Sequence, residues 1–307
     1  MNYPAWSFSF NPTSWSFPPS HLGNSSELDC TRFGVGSPFS FLLSHFSFPT
    51  MPILFPSPIF GPIKSRRLGI SLGINLMPAD GKLCTFDCIY CECGLNADCR
   101  TQTKRPTREA VREALEAQLQ QMQAKCEVPN VLTFAGNGEP TAHPDFSGII
   151  DDTIALRDTY FPEAKVSVLS NATMLHRPQV VETLRKVDNN ILKLDTVSNE
   201  YIHRVDCPAP NYDVARIIDQ LCAFNGKLII QTLFMKGMHN GLSVDNTGDA
   251  YVLPWLSALQ RIHPQQVMIY TIDRATPVAG LEKATPDELN AIADKVKKLG
   301  LQVSVSY

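Results

Sequence analysis

From residue 51 onward the chain alternates between two hydrophobic rhythms. Short aliphatic and β-branched runs are separated by longer stretches in which apolar positions recur three and four apart. The short runs predict strands over 67–74, 130–135, 165–170, 190–195, 227–234, 266–272 and 301–306. The longer stretches predict helices over 107–125, 145–159, 178–187, 213–224, 249–262 and 285–299. Thr107 and Thr285 stand where N-caps belong, with acidic residues in the turns that follow, and Gly300 stands where the last helix should stop.

Strict alternation of strand and helix implies a parallel sheet with covering helices. About six β/α units and a terminal strand fall short of the eight repeats of a closed barrel. The expected fold is therefore α/β: a partial, open (β/α)6 barrel with parallel strands. In such folds function gathers at the C-terminal ends of the strands. No linker interrupts 51–307, which is expected to form one domain.

Residues 1–50 follow neither rhythm. They hold only three charged residues, Glu27, Asp29 and Arg32, and are rich in Ser, Phe and Pro. They lack the basic start and clean apolar core of a signal peptide, and are too aromatic for ordinary disorder. They read either as a sticky, partner-binding extension or as residues upstream of a translation start at Met51. The composition jump favours the second, and no function is assigned to them.

Composition narrows the class. Hydrophobic content of 44% and charged content of 19% fit a globular protein. A net charge of −3 gives no global footprint for nucleic acid. No apolar run is long enough to span a bilayer. Five of the nine cysteines crowd between Cys84 and Cys99, a pattern of metal ligation in a reducing compartment rather than of a disulfide framework. A cytoplasmic protein is expected.

That crowd carries the sharpest chemistry. Cys84, Cys88 and Cys91 follow the first strand with spacing Cys-x3-Cys-x2-Cys, and Tyr90 precedes the last. Three thiolates hold three corners of a 4Fe–4S cube and leave the fourth iron open. Zinc with a fourth ligand from Cys93 or Cys99 is the alternative, but the spacing poorly matches paired Cys-x2-Cys hooks. Cys93 and Cys99 otherwise read as spare thiols, and Cys126, Cys207 and Cys222 as structural.

Other strand ends add candidates. The run Gly136-Asn137-Gly138-Glu139-Pro140 ends the second strand. Its glycines let backbone approach a ligand, and Glu139 offers a carboxylate to an ammonium. Ser170 and Asn171 end the third strand, as ligand contacts or as an Asx turn. Lys193 and Asp195 are two apart and share a face of the fourth strand, where burial would demand pairing or a ligand. Arg274, beyond the sixth strand, is placed to grip a carboxylate or phosphate, or to form a surface salt bridge. The basic stretches 64–67 and 100–112 read mainly as solvated surface, and His143 as structural.

The cysteine spacing with Tyr90, followed by Gly-x-Gly-Glu-Pro after the next strand, resembles the radical S-adenosylmethionine (SAM) superfamily. The run 61–73 together with 84–94 looks like a bacterial group of that superfamily related to wyosine synthase, the tRNA-modifying enzyme. The resemblance implies a 4Fe–4S cluster on Cys84, Cys88 and Cys91, with SAM chelating the open iron and cleaved to a 5′-deoxyadenosyl radical. It implies that Gly136, Gly138 and Glu139 hold the SAM amino group, that Ser170 and Asn171 orient SAM, and that Tyr90 lies near the adenine through its backbone. Lys193, Asp195 and Arg274 are left for the substrate, whether small molecule, RNA or protein. An electron donor such as flavodoxin or ferredoxin would be the partner, with no membrane. Archaeal wyosine synthases carry a second cluster with ligands upstream, where this chain has only Cys30. Wyosine-type tRNA modification, activation of a glycyl-radical enzyme and a non-catalytic iron–sulfur or zinc protein are the competing readings.

Overall fold

Seven parallel strands and the helices between them form the frame that carries the cysteine loop. The structure is a computed structural model that describes residues 52–65 and 68–307. Residues 1–50, and Arg66 and Arg67 of the first basic stretch and predicted first strand, lie outside the described residues.

The strands are β1 (Ile59–Ser65), β2 (Gly69–Ile74), β3 (Val131–Phe134), β4 (Lys165–Ser170), β5 (Asn189–Lys193), β6 (Ile229–Leu233), β7 (Met235–His239), β8 (Leu242–Ser243), β9 (Gln266–Tyr270), β10 (Leu281–Lys283) and β11 (Val303–Ser306). The helices are α1 (Arg108–Ala124), α2 (Phe146–Tyr160), α3 (Pro178–Leu184), α4 (Asn199–Val205), α5 (Val214–Cys222), α6 (Asp249–Ile262) and α7 (Pro286–Lys298). The main sheet runs β1-β2-β3-β4-β5-β6-β9-β11 and is parallel from β2 to β11. Six β/α units and a terminal strand therefore curl into the expected open half-barrel.

The alternation along each strand sorts two faces. Leu72, Ile74, Leu132, Phe134, Val166, Val168, Leu192 and Ile230 are fully buried and pack with Leu115, Leu119, Trp255 and Leu289 of the helices. Burying each such side chain contributes roughly 1.5–3 kcal/mol. The opposite face mixes apolar residues, Ile191, Ile229 and Met268, with polar pairs such as Ser71–Thr133 at 2.8 Å and Asn189–Ser167 at 2.9 Å. Polar groups on the inner face leave it suited to a polar ligand rather than to a dry core. Both predicted N-caps form: Thr107 accepts from the Ala110 N–H, and Thr285 makes a capping box with Glu288.

Three features were not expected from the sequence pattern. β1 lies antiparallel on the edge of β2, with a register break between Phe60 and Ile63. Pro62 obscures it, because a proline cannot donate to a ladder and is tolerated only on an edge. The strand predicted over 227–234 ends at Leu233, and β7 then pairs with β8 and β10 in a small antiparallel sheet. The short helix α4 follows β5. Asp195 lies two residues past the end of β5, not within it. The peptide before it is fixed by packing: the Leu194 carbonyl accepts from Thr232 Oγ1 at 2.8 Å and from the Trp255 indole at 3.1 Å. Among the described residues no helix is long and apolar enough to cross a membrane.

Asp188 ties β4, α2 and β5 together. Its Oδ2 accepts from the Val166 N–H at 2.8 Å and from Arg157 at 2.9 Å. Partial burial works against the carboxylate, but these donors outweigh it and hold its pKa below the usual 3.8. A depressed pKa gives stability that is present above the usual value and lost as pH falls through the folded one. Asp188→Asn is expected to lower stability by about 1 kcal/mol at pH 7. The gap to the parent should close below about pH 4 in denaturant titrations; a gap that persists at acid pH would exclude this ionic tie.

Candidate functional site

The cysteine loop leaves β2 and runs to α1 across the C-terminal mouth of the strands. Main-chain contacts fix its course. Leu83 forms a parallel bridge with Gly138 and donates to the Asn137 carbonyl at 2.9 Å. Asp87 and Ile89 donate to the carbonyls of Asp206 and Val205, each at 2.9 Å, so the loop also rests on the end of α4. Asn96 closes it from within: Nδ2 donates to the Cys84 and Phe86 carbonyls at 3.2 and 3.1 Å.

Cys84, Cys88 and Cys91 are free thiols of intermediate exposure on this loop. Burial, reinforced by the Glu139 charge, pushes the Cys84 thiol up to about 12. Burial and Asp206 raise Cys88 as well. Cys91 is held well below the usual thiol value, first by a hydrogen bond from Cys93 and then by Lys82. Lys82 is buried, and its Nζ donates to the Gly94 carbonyl at 2.7 Å and to Asp87 at 3.1 Å. Among the described residues no three His, Cys, Asp or Glu side chains converge closely enough to hold one metal ion.

The turn after β3 meets the loop. Gly136 and Gly138 have φ of +128° and +149°, conformations that L side chains rarely adopt. A Cβ on Gly138 would stand 1.9 Å from the Leu83 carbonyl oxygen. Asn137, fully buried, donates to the Phe55 and Pro78 carbonyls, both at 2.9 Å, and Asn75 holds the Asn137 N–H at 3.2 Å. The departure from a plain Gly-Gly pair thus supplies a staple.

Glu139 is buried at 2% exposure and has no ion-pair partner among the described residues. Its Oε1 accepts from the Thr141 N–H at 3.0 Å, Thr141 Oγ1 at 2.5 Å and Ser170 Oγ at 2.8 Å; Oε2 accepts from the Asn171 N–H at 2.7 Å. Burial raises its pKa and these donors pull it back. A carboxylate oxygen offers about two lone pairs, so Oε2 keeps one. Asn171 Nδ2 donates to Thr85 Oγ1 at 2.8 Å and reaches Cys84 Sγ at 3.6 Å. The structure therefore joins Cys84, Glu139, Ser170 and Asn171 in one hydrogen-bonded unit.

A second cluster lies across the loop. Lys193 pairs with Asp195 and with the Tyr90 hydroxyl, and stands 3.3 Å from Asp206 Oδ1. Tyr90 also donates to Asp195 at 2.5 Å, and Asp195 Oδ1 accepts from the Leu233 N–H at 2.9 Å. Lys193 and Asp195 are thus bound to each other, and the Tyr90 side chain is committed to them. Asp206, 1% exposed at the end of α4, is pushed up to about 6 by burial, against the pull of Lys193. Arg274 is apart from this cluster: it pairs with Glu92 at 2.7 Å, both partly exposed.

Glu92 and Arg274, with Phe55 and Asp273, line two cavities. The one of about 250 Å³ includes Tyr90, Cys91, Leu233 and Tyr270. The other, about 330 Å³, runs along Ser71, Thr133 and Leu169 of the inner sheet face to Gly136 in the turn after β3. Among the basic stretches, Arg108 binds Asp152 through two nitrogens at 2.7 and 2.8 Å. His143 holds the Pro106 carbonyl at 2.9 Å and the Asp145 N–H at 3.1 Å, a structural role. Sequence reasoning missed Lys82, Asn96 and Asp206. Only the position of Lys82, two residues before Cys84, offered a signal.

The Radical SAM superfamily matches residues 80–240, over half of the chain. A UPF0026 protein of Helicobacter pylori is 30% identical over 239 residues, covering 76% of this chain and 72% of that protein. A radical SAM methyltransferase from Sphaerobacter thermophilus has a similar fold, with TM-score 0.59 and 12% identity over 77% of this chain and 66% of that one. Streptococcus suis SuiB bound to S-adenosylmethionine gives TM-score 0.55 and 14% identity over 76% of this chain. The chain spans about half the length of SuiB.

The Leu83–Gly138 contact gives a direct test of the loop's anchorage. Gly138→Ala must displace the Leu83 carbonyl and is expected to destabilise by about 2–3 kcal/mol in urea titrations. Gly241→Ala, at φ +74° with nothing within 4 Å, should lose only about 1 kcal/mol of backbone strain. Equal losses would mean that the close approach is not maintained in solution.

Proposed function

The chain belongs to the radical SAM superfamily, and on that premise we propose that it is an enzyme holding a 4Fe–4S cluster on Cys84, Cys88 and Cys91. The residues suit that group. Three thiols without a fourth on the same motif leave one iron open. A buried ammonium and an amide N–H near the sulfurs favour a group of negative charge. When bound with SAM, such a cluster supplies one-electron cleavage of the sulfonium to a 5′-deoxyadenosyl radical that takes hydrogen from a substrate. SAM is bound by SuiB, which shares the fold.

The carrying observation is the hydrogen-bonded unit that spans the cysteine loop, the Gly138 turn and the end of β4. In this reading the free lone pair of Glu139 Oε2 accepts from the SAM ammonium. Gly136 and Gly138 let the main chain approach the methionyl part. Ser170 and Asn171 orient Glu139, and Asn171 links it to Cys84. Tyr90, held in place by Lys193, Asp195 and Asp206, lines the cavity beside Cys91. The adjoining larger cavity is assigned to the substrate, with Arg274 at the entrance. Because Arg274 and Glu92 are partly exposed, their ion pair is worth little and is readily exchanged for a ligand anion. Reducing equivalents would come from a flavodoxin- or ferredoxin-type donor.

The full chain, reconstituted anaerobically with iron and sulfide and given dithionite and SAM, is expected to form 5′-deoxyadenosine. Cys88→Ala should lose both the 4Fe–4S spectrum and the product; full cluster content in that variant would overturn the ligand set. Glu139→Gln should keep the cluster but weaken SAM binding about tenfold or more, as loss of a charge-assisted hydrogen bond predicts. Equilibrium dialysis with labelled SAM checks this, and unchanged affinity would remove Glu139 from the site.

A further inference from the structure

Lys82 is the most deeply placed cation at the cysteine loop. Its side chain is 1% exposed, against 30% for its partner Asp87. It reaches Gly94 and Asp87 from opposite sides of the loop. Its two acceptors flank Cys88 and Cys91 in the sequence, and the Gly94 N–H in turn donates to the Cys91 carbonyl at 2.9 Å, so the ammonium sits within the turn that carries Cys91. Two of the three ammonium protons are accounted for by these hydrogen bonds.

A loop staple alone does not require this charge. A neutral amide could donate to the Gly94 carbonyl, whereas burying an ammonium carries a desolvation penalty that a neutral group does not. Asp87 offsets that cost only in part, since it is partly exposed and its Oδ1 also accepts the Asn96 N–H at 2.7 Å. The charge is thus held inside the turn that carries Cys91. Net charge, burial and hydrogen bonds to the sulfurs are what set the reduction potential of an iron–sulfur group.

We propose that Lys82 tunes the redox potential of the group held by Cys84, Cys88 and Cys91, its buried ammonium favouring the state with one added electron. This rests on the cluster assignment above. The electron comes from an external one-electron donor, no proton is transferred, and the added negative charge is met by a cation already in place. Asp87 opposes the effect, so the two residues set the potential between them.

The test is an EPR-monitored redox titration with dithionite on the reconstituted full chain. Lys82→Met is expected to move the midpoint downward by at least tenfold in the reduction equilibrium, about 59 mV for one electron. Asp87→Asn should move it upward, and Lys82→Arg should stay near the parent. A purely structural staple would lower iron content in Lys82→Met and Asp87→Asn and leave the remaining midpoint unchanged. That result, or shifts of the same sign in both variants, would overturn the proposal. If Lys82→Met takes up no iron, Lys82→Gln, which keeps a donor for the Gly94 carbonyl, decides: a downward shift supports the proposal, and none rejects it. Iron and sulfide analysis of the parent precedes the titration, and a parent without a cluster would instead reject the cluster assignment itself.

Discussion

The approach of the Leu83 carbonyl to the position of the missing Gly138 side chain fixes where the three cysteines sit. Loops seldom hold metal-ligand geometry unaided, because each fixed residue loses backbone entropy of about 1–2 kcal/mol. Here the loop borrows order from the sheet. Leu83 pairs with the turn after β3, Asp87 and Ile89 pair with the end of α4, and Asn96 satisfies carbonyls inside. Any side chain at 138 would break the first of these ties.

The sheet makes this arrangement possible through the inequality of its faces. The outer rows are aliphatic and closed by helices, so the strands hold their register firmly. The inner rows carry Ser71, Thr133, Asn171, Lys193 and Gln231. With period two along each strand, the same residues that seal the core outside present polar groups inside. Asn171 and Ser170 illustrate the division. As sequence neighbours they point apart, yet both reach Glu139, one through its main chain and the other through its hydroxyl.

Much of this was legible in the sequence because the signals are periodic or local. The strands from β3 to β11 within the main sheet, the long helices and both threonine caps follow from short-range patterns. So does the cysteine spacing. What was not legible depends on contacts between distant residues or on elements too short to show a period. α4 has seven residues, and β8 has two. Asp206 meets Tyr90 across 116 positions, and nothing near either residue announces the other. Glu139 was readable as a lone carboxylate, but its four protein donors were not, since they come from three residues, Thr141, Ser170 and Asn171, whose own patterns suggest turns and strand ends.

The two lysines at this mouth face different counter-charges. Lys193 faces two carboxylates and a tyrosine hydroxyl, so that cluster is anionic overall. Asp206 even pushes the Cys88 thiol upward. Lys82 faces one carboxylate, which is partly exposed to water. Lysine suits this place better than arginine. Its acceptors are a carbonyl and a single carboxylate oxygen from separate turns of the loop, which a compact ammonium meets without the bidentate partner a guanidinium fork requires.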